Sequence, residues 1–286
     1  MALQKSTHAG ALLETFLALL AYQPAVLVQV SSSQGSVPRN AGSWMAVFTD
    51  TLVGTVGGGH LEHVAIATAR DFLAGRTASM TQAPTRFALG PSLGQCCGGV
   101  VHLQSQPVTA IDADSLRARL LPELAPVALF GGGHVGQALV NILSTLPVAL
   151  HWIDSRDGVF PEDVPLAVAC EQSDPPQTAV NDLAPQSMVI IMSFSHAEDL
   201  DIVGACLLRQ RQRGDLPFIG LIGSKTKWAT FRHRLAARGF TEAELAQVTS
   251  PIGIAGISRK EPEVIAVAVA AQVLQVLHVL ESKDRL

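Results

Sequence analysis

Two kinds of residue in this chain are placed to do chemistry: glycines that expose main-chain amides, and a pair of adjacent thiols. Gly131, Gly133 and Gly136 repeat the spacing G-x-G-x-x-G directly after the apolar run Val127–Phe130 and before the helical pattern Ala138, Leu139, Ile142 and Leu143. In that order the first glycine permits a tight turn, the second lets backbone approach a phosphate, and the third lets helix lie close on strand. The helix start then offers unpaired N–H groups to an anion. A second apolar run, Val148–Ile153, ends in Asp154, where a carboxylate meets a ribose hydroxyl in dinucleotide folds. Strand, triplet, helix, strand and terminal acid in register point to a nucleotide-type βαβ unit.

A second glycine turn stands well upstream. Leu52–Val56 runs into Gly57, Gly58 and Gly59, followed by His60, Leu61, Glu62 and the helical pattern Val64, Ala65, Ile66, Ala69. Two readings are open: a tight turn that lets a helix lie close to its sheet, or a cradle of N–H groups for an anion with Arg39 and Ser31–Ser33 beside it. Two cradles in one chain would suit a ligand with phosphate.

Cys96 and Cys97 lie on a glycine-rich loop between the strand-like segments Thr85–Leu89 and Gly98–Leu103. Adjacent side chains of an extended chain point opposite ways, so at most one normally faces a shared site. Either both thiols fill a loop core, or one thiolate ligates a soft metal or handles sulfur. A zinc site does not follow, since no C-x-x-C pair exists and Cys170 and Cys206 fall in separate elements. His196 precedes Glu198, Asp199 and Asp201. The acids read as the first turn of a helix, and His196 stays open between a helix start and a base or metal ligand at the sheet crevice. Gly223-Ser224-Lys225-Thr226 lacks the earlier glycine of a phosphate loop, which excludes a P-loop kinase or ATPase.

The elements that must position these residues follow from periodicity. The N-terminal stretch, with Leu12, Leu13, Phe16, Leu17 and Leu20 at helical spacing, is an amphipathic helix rather than a signal peptide. A strand over Ala25–Val30, a polar loop over Ser31–Asn40 and a hairpin of Trp44–Phe48 with Leu52–Val56 come next. Gln106–Pro126 reads as a connection around a helix at Asp112–Leu121. Beyond Asp154, strands at Leu166–Ala169, Met188–Met192 and Phe218–Ile222 alternate with helices at Thr178–Leu183, Leu200–Arg211 and Lys227–Arg238, and a long helix runs from near Pro262 to about Leu280. Such alternation gives a parallel, doubly wound sheet. The fold class is therefore α/β: a smaller α+β N-terminal domain over residues 1–108, a linker over 109–126, and a Rossmann-like domain over 127–286. A chain of 286 residues, 48% hydrophobic and 15% charged, buries two cores easily. Its net charge of -4 carries no basic field for nucleic acid. No uninterrupted apolar run reaches the ~18 residues needed to cross a bilayer, and four sparse cysteines suit a reducing cytosol. A cytoplasmic protein without membrane attachment is expected.

Taken together, Gly35-Ser-Val-Pro-Arg39, Gly57–Gly59 with Glu62, Gly94-Gln-Cys-Cys-Gly-Gly99, Phe130–Gly136, Asp154-Ser-Arg156, His196, Ile222-Gly-Ser224 and Ser250-Pro-Ile-Gly253 resemble the hallmarks of the XdhC/CoxI family, across nearly the whole chain. The resemblance implies a xanthine dehydrogenase accessory protein that binds molybdenum cofactor (molybdopterin). Such proteins shelter the cofactor while a cysteine desulfurase supplies its sulfido ligand, and deliver it to the molybdenum subunit of xanthine dehydrogenase. It also implies a homodimer and a chaperone rather than an enzyme. The residues it places on the cofactor are Arg39, Gly57, Gly58, Gly59, Glu62, Gln95, Gly131, Gly133, His134, Gly136, Asp154, Arg156, His196 and Ser224, with Cys96 and Cys97 toward the metal. The cofactor is expected between the two domains, its phosphate on one glycine turn. The rival is an NAD(P)-dependent oxidoreductase: Asp154 on the ribose, Arg156 on a 2′-phosphate, His196 as acid/base.

Overall fold

The computed structural model describes residues 8–80, 83–90, 98–165 and 168–283, and the chain divides into two compact units after Leu121. Gln95, Cys96 and Cys97 lie outside the described residues.

In the N-terminal unit, α1 (His8–Leu20) buries Leu13, Phe16, Leu17 and Leu20, a stripe at helical spacing. The strands and helices that follow are β1 (Ala25–Gln34), β2 (Trp44–Val47), β3 (Leu52–Gly54), α2 (Gly59–Leu73), β4 (Thr85–Ala88), β5 (Val100–Val108) and α3 (Ala113–Leu120). The sheet is antiparallel in the order β3-β2-β1-β5-β4. Side chains alternate across β1: Ala25 and Leu27 join the core under α1 and α3, while Val26, Val28 and Val30 join the core under α2. Two sequence expectations change here. The polar segment from Ser31 is not all loop: β1 continues through Gln34, because an irregularity between Val30 and Ser32 shifts the register and lets Ser32–Gln34 keep pairing with β5. The helix expected at Asp112–Leu121 splits into a 3-10 turn at Ala110–Asp112 and α3, whose Leu116 and Leu120 are buried in the N-terminal core.

The C-terminal unit alternates β6 (Ala125–Phe130), α4 (His134–Leu143), β7 (Val148–Asp154), β8 (Ala169–Gln172), β9 (Met188–Ile191), α5 (His196–Arg213), β10 (Phe218–Leu221), α6 (Lys225–Ala237), α7 (Glu242–Leu245), β11 (Val248–Thr249) and α8 (Pro262–Lys283). Its six strands are all parallel, in the order β11-β10-β9-β6-β7-β8. Both faces are covered, which is why the central strands read as continuous apolar runs. Val127 and Leu129 meet α4 and α8, whereas Ala128 and Phe130 meet α5 and α6. Of the strand expected at Leu166–Ala169, Leu166 and Ala167 lie outside the described residues; β8 runs over Ala169–Gln172 in register with the end of β7, and the short helix after it is a 3-10 segment over Pro176–Asp182.

The chain leaves β6 toward β7 on one side and returns to β9 on the other. The crevice above the carboxyl ends of β6 and β9 is therefore the switch point at which open sheets of this kind take ligands. One described helix, Pro262–Ser282, is long and apolar enough to cross a membrane by length and composition. Its Ala266, Val269, Ala270, Val273 and Leu277 are buried in the core shared with α4 and the sheet.

Candidate functional site at the carboxyl ends of the parallel sheet

Gly131 leaves β6 at φ 125°, in the region that favours glycine, and a Cβ there would lie 2.0 Å from the Met192 carbonyl oxygen. A Cβ at Gly136 would lie 2.1 Å from the Gly131 carbonyl oxygen, so the third glycine is what lets α4 sit on the turn. Buried Trp152 donates its indole N–H to that same oxygen at 2.9 Å, which fixes the turn from the β7 side. Gly133 is the N-cap of α4, and a Cβ there would meet nothing within 4 Å, so the turn is open to a ligand at this point and at the exposed His134. Gly132 differs: a Cβ would strike the Val159 side chain at 2.7 Å and approach Asp154 at 3.3 Å.

Asp154 ends β7 only 3% exposed. Its Oδ2 accepts from the Gly132 N–H at 2.6 Å and from Arg156 Nη2 at 2.9 Å, and its Oδ1 accepts from the Arg156 N–H and Nε, both at 2.9 Å. Burial pushes the carboxyl up, but the Arg156 side chain, the two amides and the guanidinium charge outweigh it and hold Asp154 below the usual carboxylate range. The same hydrogen bond holds the Arg156 guanidinium above its ordinary value. A carboxylate offers about four lone-pair positions. Here all four are taken by the chain's own donors, so a ribose diol would have to displace Arg156.

The neighbouring rim is a polar lattice that sequence reasoning missed. Asp199, 2% exposed, accepts from the Ser193 N–H at 2.8 Å and hydroxyl at 2.7 Å through Oδ1, and from Lys227 Nζ at 2.5 Å through Oδ2. Lys227 also donates to the Ile222 carbonyl at 2.9 Å. Asp199 therefore closes the β9–α5 loop instead of only complementing the helix dipole. A signal existed: α6 starts with Lys225 and Lys227 and no acid, the reverse of what a helix N-terminus favours, which marks a cation engaged elsewhere. Ser195 and Ser224 are the N-caps of α5 and α6, accepting from the N–H of Glu198 and Lys227. Ser155 donates to Glu198 at 2.8 Å, tying the Asp154 loop to α5. His196 is exposed, with its ring 6.4 Å from that of Phe231.

In the N-terminal unit, Gly57, Gly58 and Gly59 all have positive φ. Their amides are largely taken: Glu62 Oε2 accepts from the Thr55 hydroxyl at 2.5 Å and from the Val56 and Gly58 N–H groups at 3.1 Å, while Gly57 N–H donates to Thr55 at 3.1 Å. A Cβ at Gly57 would strike Pro38 at 2.6 Å and meet Arg39 at 3.6 Å, so the exposed Arg39 does lie beside this turn. The same loop reaches the cysteine segment's flank. Gly99 N–H donates to the Ser36 carbonyl at 3.1 Å, its carbonyl accepts from Leu89 N–H at 2.8 Å, and a Cβ there would lie 2.6 Å from that Ser36 oxygen. Arg39 lies beside the first glycine turn, and Gly99 meets Ser36 of the same loop. Among the described residues no group of three or more His, Cys, Asp or Glu can hold a metal ion.

Residues 127–273 match the family description of the XdhC Rossmann domain, and residues 18–82 match that of the XdhC and CoxI family. An Escherichia coli K12 protein named YqeB is 26% identical over 257 residues, 88% of this chain but 43% of that protein, so the chain spans less than half of this relative's length. A solved Bacillus halodurans structure described as a xanthine dehydrogenase is 20% identical, covers 94% of this chain and 95% of its own, and superposes with a TM-score of 0.75, a likeness of fold. On the domain match, which covers more than half of its length, the chain belongs to the XdhC/CoxI family.

Proposed function

We propose that this chain is an accessory protein that binds molybdenum cofactor as cargo, shelters it during sulfuration by a cysteine desulfurase, and passes it to the molybdenum subunit of xanthine dehydrogenase. Family membership supports the class of cargo. The observation that carries the choice between carrier and hydride-transfer enzyme is the closed Asp154–Arg156 pair. An NAD-dependent enzyme uses that carboxylate to accept ribose hydroxyls, and here its lone pairs are already taken by Arg156 and Gly132, while Arg156 Nη1 stays outside those bonds. What this end of the sheet leaves accessible is the part-exposed Arg156 guanidinium and the open N-terminal end of α4 at Gly133. That donor set fits a phosphate better than a diol. Gly133 and His134 would hold the phosphate at the helix start, and Arg156 would neutralise it. The resemblance separately offers Cys96 or Cys97 as the soft thiolate that molybdenum accepts.

The test is to purify the full chain from a host that makes the cofactor and to measure bound molybdenum and pterin. The expected result is both, together, with loss of molybdenum in Cys96→Ser/Cys97→Ser and no saturable fluorescence change with NADH or NADPH. A metal-free, pterin-free protein that binds NADH or NADPH would make the oxidoreductase the better reading.

A further inference from the structure

The Ser193–Ser195 loop is held harder than a surface turn needs. Ser193 is fixed through its N–H and hydroxyl by Asp199, Asp199 is fixed by Lys227, and Ser195 caps α5. Ser155 and Glu198 then tie α5 to the loop that carries Arg156. The side chain this lattice presents outward is Phe194, 66% exposed. A phenylalanine in water forgoes the burial that normally explains its presence. It is not a solitary surface residue either: the Arg156 guanidinium carbon stands 4.8 Å from the ring centroid, over its face, while Asp154 grips the same guanidinium from two sides. A rigid aromatic ring, backed by a fixed planar cation, lies at the crevice where the parallel sheet takes ligands.

We propose that Phe194, backed by Arg156, is the stacking platform for the fused heteroaromatic ring of a phosphate-bearing ligand, a pterin or a purine. This rests on the reading above that the crevice takes an anionic cofactor. Stacking on an aromatic side chain recognises the planar π-face common to both ring systems. The platform therefore determines that the ligand carries a flat heterocycle, and the α4 end determines that it carries a phosphate.

The experiment titrates the full-length chain with 6-hydroxymethylpterin pyrophosphate, followed by its own fluorescence, and with adenosine monophosphate, each in competition with inorganic phosphate. Phe194→Ala is expected to weaken the heterocycle at least about 10-fold, and Phe194→Tyr to stay within about 2-fold of the parent because the ring is kept. Inhibition by inorganic phosphate alone should be the same in all three proteins, a result that loss of folding would not give. Phe194→Ala binding both probes as tightly as the parent overturns the platform, and so does a parent chain that binds neither. Phe194-dependent binding of adenosine monophosphate without binding of the pterin keeps the platform and removes the molybdenum cofactor reading of the crevice. Equal molybdenum and pterin in the parent and Phe194→Ala proteins purified from a cofactor-producing host keeps that reading and removes the platform.

Discussion

The two glycine turns look alike as strings of residues and differ in where their amides go. At the first, the Val56 and Gly58 N–H groups end on Glu62 and that of Gly57 on Thr55. At the second, the Gly132 N–H ends on Asp154, while Gly133 opens α4 into free space. A glycine-rich strand-to-helix turn is thus a statement about backbone conformation. Whether it cradles an anion depends on whether a side chain of the same protein has reached the amides first.

The sharpest way to probe this is within the second turn. Gly136→Ala sets a methyl 2.1 Å from a carbonyl oxygen of the same turn, with no side chain that can swing away, and should cost at least about 3 kcal/mol. Gly133→Ala, at φ -73° in open space, should stay within about 0.5 kcal/mol. Chemical denaturation of the two variants checks both. If they lose stability equally, close packing is not what distinguishes the glycines.

Next in size is the lattice beside that turn. Asp199→Ala strands the Lys227 ammonium, whose side chain is 11% exposed, together with the Ser193 amide, and should cost about 3 kcal/mol. Adding Lys227→Met should recover part of the loss by removing the unpaired charge, and failure to recover any would assign the cost to Ser193 alone. At the first turn Glu62→Ala should cost about 2 kcal/mol, because a charged acceptor serving one hydroxyl and two amides is lost. Bound pterin per folded chain should not change, since a turn closed on itself has little to offer a ligand.

How much of this could be read beforehand follows from the range of each signal. The run from Val127 to Asp154 was legible because strand, glycines, helix and second strand are each local patterns, and the parallel sheet followed from their alternation. The Lys227–Asp199 pair was only half legible: lysines at the start of α6 mark a cation engaged elsewhere, but which acid it meets spans two helix starts and depends on a long side chain folding back on Ile222. Phe194 follows closely on the strand-like run Met188–Met192, yet nothing in its neighbours told that it would stand in water beside Arg156. Glu62 illustrates the opposite limit. It is close in sequence to the glycines it caps, but a first-turn acid reads equally as a partner of the helix dipole.

The smallest effect expected is the pH response of the Asp154–Arg156 pair, and it tests whether the acid beside the second turn is as fully engaged as its geometry implies. The folded-state carboxyl of Asp154 is held below its ordinary value of 3.8, so its contribution to stability is fully present above that pH and is lost as pH falls through the lower folded-state value. Asp154→Asn removes this titration while keeping an oxygen for the Gly132 N–H. Stability of the parent should therefore fall more steeply than that of the variant below about pH 4, with the two curves parallel from there to neutrality. An acid limb that steepens equally in both proteins would mean that the guanidinium does not grip Asp154 in solution, and the carboxylate would again be free for a ribose.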